Sequence, residues 1–83
     1  MTCYRLVLHA AAVQALLGCR CAQRRRLLVW MEGLQTDPFQ RGDFQVKDAE
    51  GREQHLKLVA GFRVTFYADH AVREVRVTDL ESG

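Results

Sequence analysis

The sequence has few of the features that mark membrane, disordered or repeat proteins. It contains one proline and six glycines in 83 residues, without a low-complexity segment or an internal repeat, which argues against a disordered tail and a solenoid. No apolar run reaches the about 20 residues that a membrane-spanning helix requires. We therefore expect a single domain over residues 1–83, with a thin hydrophobic core.

The sequence also has too few cysteines for a disulfide framework. Cys3, Cys19 and Cys21 are odd in number and include neither a C-x-x-C pair nor a matched pair of histidines, which argues against a disulfide scaffold and a zinc site. We expect reduced thiols in a cytoplasmic protein that carries no metal or cofactor.

In the first half of the chain the spacing of the apolar residues is that of one strand followed by two helices. Apolar residues on both faces of the segment 3–8 predict a covered strand. Residues 10–17 predict a short helix that Gly18 ends, and residues 22–36 predict a longer helix that Asp37 and Pro38 end. In the second helix Leu27, Trp30, Met31 and Leu34 share one face, which is typical of core packing against a sheet.

After Pro38 apolar residues alternate with polar ones, as they do in β-strands. Four strands are predicted around residues 44–46, 56–58, 62–66 and 75–77, joined by tight turns. Such a meander has one apolar and one polar face. The predicted fold is α+β, with two N-terminal helices packed on one face of a curved, mainly antiparallel sheet in the order β-α-α-β-β-β-β.

The turns set the predicted register. Residues 49–51 and 59–61 resemble three-residue loops with glycine in the last position, and residues 69–70 suit a two-residue turn. The predicted opposite pairs are Phe44 with Leu56, Leu56 with Val64, Leu58 with Phe62, and Val64 with Val75. On the polar face the register predicts two rows: Asp43, Lys57, Arg63 and Arg76 in one, and Gln45, His55, Thr65 and Glu74 in the other.

The first row carries the functional prediction. Like charges side by side on a sheet are destabilising, so Lys57, Arg63 and Arg76 together indicate a bound anion, and a phosphate backbone is the obvious candidate. Tyr67 and His55 would then stack on a base or transfer a proton. The alternative is a solvated face on which acidic neighbours neutralise these cations.

A second basic cluster lies at the start of the second helix, where the helix dipole disfavours positive charge. Its members are Arg20, Arg24, Arg25 and Arg26. It indicates a docking point for an acidic partner segment or nucleic acid, with a solvated charged turn as the alternative.

Three segments together resemble the RelE/ParE superfamily of toxins from bacterial type II toxin–antitoxin systems. They are Tyr4-Arg5-Leu6-Val7-Leu8 before the alanine-rich helix, Gly33-Leu34-Gln35-Thr36-Asp37-Pro38-Phe39 at the end of the second helix, and Gly61-Phe62-Arg63-Val64-Thr65-Phe66-Tyr67. The resemblance covers nearly the whole chain. It implies a cognate antitoxin partner and, in RelE-like members, contacts from Lys57 and Arg63 to messenger RNA at the ribosome.

The resemblance leaves the activity open. RelE-like ribonucleases also use an arginine and an aromatic residue or histidine just beyond the final strand, and the segment Asp79-Leu80-Glu81-Ser82-Gly83 contains neither. Arg63, Arg76, His55 and Tyr67 are the catalytic candidates if the protein is a ribosome-dependent endoribonuclease. The alternatives are a ParE-type inhibitor of DNA gyrase and a non-catalytic interaction module, and self-association is left open.

Overall fold

A computed structural model describes residues 3–38 and 42–82. The elements in chain order are β1 (Arg5–Leu8), α1 (Ala10–Gly18), α2 (Cys21–Thr36), β2 (Phe44–Lys47), β3 (Glu53–Val59), β4 (Phe62–Asp69) and β5 (Glu74–Ser82). The predicted class and element order are confirmed. Phe39, the last residue of the second family-like segment, lies outside the described residues.

The five strands form one open sheet in the order β1-β5-β4-β3-β2. β1 pairs with β5 in parallel, whereas the other three pairings are antiparallel. The first and last strands of the chain are therefore neighbours, and β2 lies at the opposite end of the sheet.

Both helices pack on one face of the sheet, α1 against β5 and α2 across β1, β5 and β3. Leu27, Met31 and Leu34 of α2 are fully buried, and Trp30 meets Phe66 of β4 edge-to-face, with ring centroids 5.4 Å apart. The apolar stripe of the second predicted helix is thus core, as its spacing indicates. Neither helix in the described part of the chain is long and apolar enough to cross a membrane.

A bulge in β5 completes this core. Thr65 pairs with Asp79 but Phe66 pairs with Val77, which leaves Thr78 as the extra residue. Its hydroxyl lies 3.1 Å from Gln54 Oε1 and 3.3 Å from the carbonyl oxygen of Thr65. Because of the extra residue, Val77 and Leu80 both face the core although they are three positions apart.

The predicted pairing of β2 with β3 is confirmed. Phe44 lies opposite Leu56, and residues 49–51 form the three-residue loop with Gly51 at φ 81°. The amide of Asp48 donates to the carbonyl of Arg52 across the base of that loop, at 3.0 Å.

The predicted pairing of β3 with β4 is wrong by one residue. Val59 lies opposite Phe62 and Leu58 lies opposite Arg63, because the turn has two residues, Ala60 and Gly61, both with positive φ. Two-residue turns of this kind match the twist of a hairpin. A slip of one residue moves every side chain of a strand to the other face.

The predicted pairing of β4 with β5 is wrong by a larger shift. The strands are joined by residues 70–73 rather than by a two-residue turn, so Asp69 pairs with Glu74. Val64 therefore lies opposite Leu80, and Val75 lies opposite Ala68. The left-handed position that closes this turn is Arg73, at φ 55°, and a sequence pattern based on glycine does not reveal it.

Candidate functional site

The row of three neighbouring cations is not formed. Directly opposite residues of a sheet share a face, and Lys57 lies opposite the buried Val64, on the face that the helices cover. Arg63 lies opposite Glu81, and Arg76 lies opposite Tyr67. These two arginines share the other face, which we call the helix-free face, defined by Leu58, Arg63, Thr65, Tyr67 and Arg76.

Each cation of the predicted row has an acidic partner. Lys57 Nζ is 3.4 Å from Asp43 Oδ1, Arg76 is 2.8 Å from Glu74 Oε1, and Arg63 pairs with Glu81. The second predicted row is not formed either, since His55 lies opposite Phe66 rather than Thr65. The charge arrangement therefore matches the alternative of locally neutralised cations.

Glu74 is the most buried of these carboxylates, with a side chain 7% exposed. It bridges two strands, because it pairs with Arg5 of β1 as well as with Arg76 of β5. The hydrogen bond from Arg5, followed by that from Arg76, holds the pKa of Glu74 below its ordinary value. The carboxylate therefore stays ionised at neutral pH and fixes the position of Arg76.

The two proposed proton-transfer residues lie on opposite faces. His55 stacks on Phe66, with ring centroids 5.5 Å apart, and its Nδ1 accepts a hydrogen bond from the amide of Gly42 at 3.2 Å. Tyr67 lies on the helix-free face and is 7% exposed. His70 lies in the turn after β4, and its Nδ1 is 2.8 Å from the hydroxyl oxygen of Tyr4.

Tyr67 is covered by a residue that the sequence pattern did not single out. The guanidinium carbon of Arg52 lies 4.5 Å from the centre of the Tyr67 ring, a cation–π contact. Arg76 lies on the neighbouring strand beside the same ring. Two arginines therefore flank Tyr67, and only the correct register would have revealed that Arg52, which follows the loop glycine, belongs there.

A cleft of about 280 Å³ opens beside this group. Its lining comes from β3, β4 and β5, from the loop between β2 and β3, and from the residue between β1 and α1. The residues are His9, Asp48, Ala49, Glu50, Arg52, Gln54, Tyr67 and Thr78. Asp48 shapes the loop, because its Oδ1 accepts from the amides of Glu50 and Arg52 and its Oδ2 from Gln54. These bonds, that from Arg52 foremost, lower the pKa of Asp48.

His9 forms part of that cleft. Its Nε2 is buried and has no hydrogen-bond partner within residues 3–38 and 42–82. A buried polar atom without a partner is costly, by about 1–3 kcal/mol. His9 thus brings one buried ring nitrogen, without a partner among the described residues, to the lining of the cleft, a feature that no sequence spacing indicates.

The helix-free face also carries an apolar surface, which we call the hairpin patch. Its members are Phe44, Val46, Leu56 and Leu58. Phe44 is 61% exposed and Leu58 is 59% exposed, although the predicted register places both on the apolar face together with Val64 and Phe62. Large side chains clustered in this way on a small protein are typical of an interaction surface.

The second basic cluster has a structural role for one of its members. The guanidinium of Arg24 donates to the carbonyls of Leu16, Leu17 and Cys19, at the C-terminal end of α1, where the helix dipole gives the carbonyl groups partial negative charge. Arg20, Arg25 and Arg26 are exposed, so their predicted role in partner binding stays a prediction.

Comparison with known proteins shows the fold. No protein-family model and no curated protein sequence matches the chain. A chain in the crystal structure of the archaeal RelE–RelB complex from Pyrococcus horikoshii OT3 superimposes with a TM-score of 0.79, over 99% of this chain and 96% of that one, at 21% identity. This protein has a RelE-like fold. At that identity the likeness concerns architecture and carries no residue role across.

Proposed function

We propose that the protein is a toxin-like component of a type II toxin–antitoxin pair. The observation that supports this most strongly is the fold, which is shared over nearly the whole of both chains with a structure named for a RelE–RelB complex. Folds host many functions, so the proposal depends on surfaces that suit a restraining partner and a target.

The hairpin patch suits the partner. Phe44, Val46 and Leu58 are each at least 45% exposed, and Arg63 lies directly opposite Leu58 at the border of the patch. An antitoxin segment with apolar side chains flanked by carboxylates would cover the patch and pair with the bordering cation. Such segments are commonly disordered until they bind.

The arginines of the helix-free face suit a polyanionic target. Arg52, Arg63 and Arg76 share this face, and Arg52 is exposed over Tyr67. We propose that they contact RNA, since guanidinium groups give several hydrogen bonds to phosphate oxygens. In a ribonuclease Arg76, opposite Tyr67, would stabilise the charge that develops on the scissile phosphate, with Tyr67 as the proton-transfer candidate. Arg63 lies four residues before Tyr67 on the same strand, about 13 Å away, and would contact a neighbouring phosphate.

Lys57 and His55 do not lie on the same face of the sheet as these arginines. Both lie on the face of the sheet that the helices cover, where Lys57 pairs with Asp43 and His55 stacks on Phe66. A strand of RNA would have to pass around the edge of the sheet to reach them as well as Arg63. Their catalytic and anion-binding roles are therefore the weakest part of the ribonuclease hypothesis.

A second candidate is a binding protein without catalysis, either of the gyrase-inhibiting type or an interaction module. The pairing of Lys57, Arg63 and Arg76 with acidic neighbours favours it, because a cation that is already neutralised gains less from a phosphate. The apolar hairpin patch favours it also, since binding alone suffices to explain that surface.

Induction of the gene in bacteria separates these candidates. We expect growth arrest for the wild type, and loss of arrest for the double variant Arg63→Ala/Arg76→Ala, while messenger cleavage at ribosomes and the DNA-damage response are followed. Cleavage identifies the ribonuclease, and a damage response without cleavage identifies gyrase inhibition. Unaffected growth would exclude a toxin and leave the interaction module.

The control variant is Arg73→Asn. It removes a positive charge from the turn after β4, and asparagine tolerates the left-handed backbone at this position. It should leave growth arrest unchanged. Binding of RNA in vitro should weaken with rising salt for the wild type, because phosphate contacts release counterions, and a salt-independent signal would contradict the arginine contacts.

A further inference from the structure

We propose that β2 is a self-association edge, on which a second copy of this chain adds its own β2 in antiparallel orientation to give one continuous sheet. Within the described residues no strand pairs with the outer edge of β2, and all four of its residues are exposed. Open strand edges pair readily with another strand. This inference does not depend on the proposed function.

The backbone of β2 presents alternate residues to that edge. The amide of Asp48 points towards β3, since it donates to Arg52, and in an antiparallel pair the hydrogen-bonding residues alternate. Phe44 and Val46 therefore also bond to β3, whereas Gln45 and Lys47 direct their amides and carbonyls outwards. These two residues would make the hydrogen bonds to a second copy, and Asp43 lies just before the strand.

One register satisfies both the backbone and the side chains. If Gln45 lies opposite Gln45 of the second copy, Asp43 lies opposite Lys47 and Phe44 lies opposite Val46, and the two-fold axis creates each of these pairs twice. Opposite charges and apolar pairs directly across a sheet are stabilising. The sequence of this strand is thus complementary to itself.

The neighbouring registers lack this complementarity. Centring the axis on Val46 would place Phe44 opposite Asp48 and Gln45 opposite Lys47. Centring it on Phe44 would place Asp43 opposite Gln45 and leave Lys47 beyond any described partner. An odd shift is excluded because it would bring side chains from opposite faces against each other.

The charges are suited to the pairing. Asp43 accepts a hydrogen bond from the amide of Leu58 at 3.0 Å, and that bond is the main cause of its lowered pKa. The same carboxylate pairs with Lys57 at 3.4 Å, so Lys47 of a second copy would be its second cation. Lys47 is exposed and lies at the other end of the strand. Since a four-residue edge buries little area, we expect weak association, with a Kd on the order of tens of micromolar.

Disulfide trapping tests the register directly. With Cys3, Cys19 and Cys21 changed to serine, Gln45→Cys should oxidise to a covalent dimer, because hydrogen-bonded residues across antiparallel strands lie about 5.5 Å apart at Cα, within disulfide range. The matched control Gln14→Cys places a thiol at an exposed glutamine of α1. Equal rates of cross-linking for the two variants would overturn the proposal.

Proline substitution tests the edge without cross-linking. Gln45→Pro removes an amide that faces outwards, so it should keep the hairpin and abolish the concentration-dependent increase in mass seen by sedimentation. Val46→Pro removes an amide that bonds to β3 and should disrupt the hairpin itself. A Gln45→Pro protein that is folded by circular dichroism and still dimerises would place the contact elsewhere.

Charge substitution tests the side-chain pairs. Lys47→Glu puts like charges opposite each other at two places per dimer and should weaken association about tenfold or more. Adding Asp43→Asn, which keeps an acceptor for the Leu58 amide, should restore part of the loss. A wild type that is monomeric up to 1 mM, roughly the limit of weak specific association, would refute the proposal whatever the growth assays show.

Discussion

The half of the sheet under the helices and the hairpin of β2 and β3 have the same alternation of apolar and polar residues, but their apolar residues face opposite sides of the sheet. In β4, Val64 and Phe66 are buried under the helices, whereas in β3 the side chains of Leu56 and Leu58 point to the helix-free face. The alternation within a strand shows which residues share a face. It does not show which face that is, because the turn between two strands decides it.

This difference gives the hairpin of β2 and β3 a separate character. Apart from Val59, which packs against the core, its helix-side residues are polar, with His55 stacked on Phe66 and Lys57 paired with Asp43 at the rim of the core. Its other apolar residues are left on the outside. The half of the sheet under the helices is held by its own core, whereas the hairpin presents the surface that a partner or second copy would cover.

The largest expected effect contrasts the two halves directly. Phe66→Ala should lower the free energy of unfolding by about 3–5 kcal/mol, because it removes a fully buried ring that contacts Trp30. Leu58→Ala should change it by no more than about 0.5 kcal/mol. Chemical denaturation of both variants measures this, and equal losses would show that Leu58 belongs to the core after all.

The second contrast compares two glycines. A Cβ on Gly42 would lie 2.6 Å from the carbonyl oxygen of Leu56, so Gly42→Ala should destabilise the hairpin by about 1–3 kcal/mol. Gly33 of α2 has open space around it, and Gly33→Ala should stabilise the protein by about 0.5–1 kcal/mol. Thermal denaturation that gives both variants the same sign would contradict the close approach at Gly42.

The turn between the halves should respond to a smaller change. Ala60 has a positive φ of 53°, which asparagine adopts more readily than alanine. Ala60→Asn should raise the free energy of unfolding by up to about 1 kcal/mol. A loss of stability on urea denaturation would argue against the two-residue turn, and with it against the register that sets the two faces.

Acid should weaken both halves through different carboxylates. Glu74 joins β1 to β5 and Asp48 shapes the hairpin loop, and hydrogen bonds hold both pKa values below their ordinary range. Their contribution to stability is complete above the unfolded pKa, about 4, and is lost as the pH falls through the lower folded value. Stability should therefore decline below about pH 4.

Substitution of each carboxylate separates the halves. Glu74→Gln and Asp48→Asn should each show a smaller fall in unfolding free energy between pH 7 and pH 3 than the wild type, when measured by denaturation at both pH values. Amide exchange should localise the first effect to β1 and β5 and the second to the hairpin. An unchanged fall in Glu74→Gln would show that its ion pairs do not couple to folding.

The sequence predicts where the helices and strands lie better than it predicts which residues of neighbouring strands lie opposite each other. The apolar spacing of α2 and the break at Pro38 locate the second helix within one residue at its start, because helix periodicity is local. The register of β4 against β5 depends on a four-residue turn closed by Arg73 and on a bulge at Thr78. Neither carries a glycine, so the local pattern contains no signal for them.

The candidate site is harder to predict for the same reason. A single extra residue assigned to the turn at Ala60 moves Lys57 from beside Val64 to beside Arg63, and this creates a row of cations that is not formed. Arg52 and Tyr67 could have been grouped once the register was known. The buried Nε2 of His9, which has no hydrogen-bond partner among the described residues, depends on how three strands and two connecting segments meet, and no spacing within one segment encodes this.

The parallel contact between β1 and β5 has a consequence for biosynthesis. β1 begins at Arg5 and its partner residues begin at Glu74, so the strand made first has no neighbour in the sheet until almost all of the described chain has been translated. The hairpins of β2, β3 and β4 form from nearby residues, whereas this closure joins distant ones and should come late. A nascent chain that stalls before β5 would hold an incomplete core, and proteolysis could remove it before it acquires a working surface.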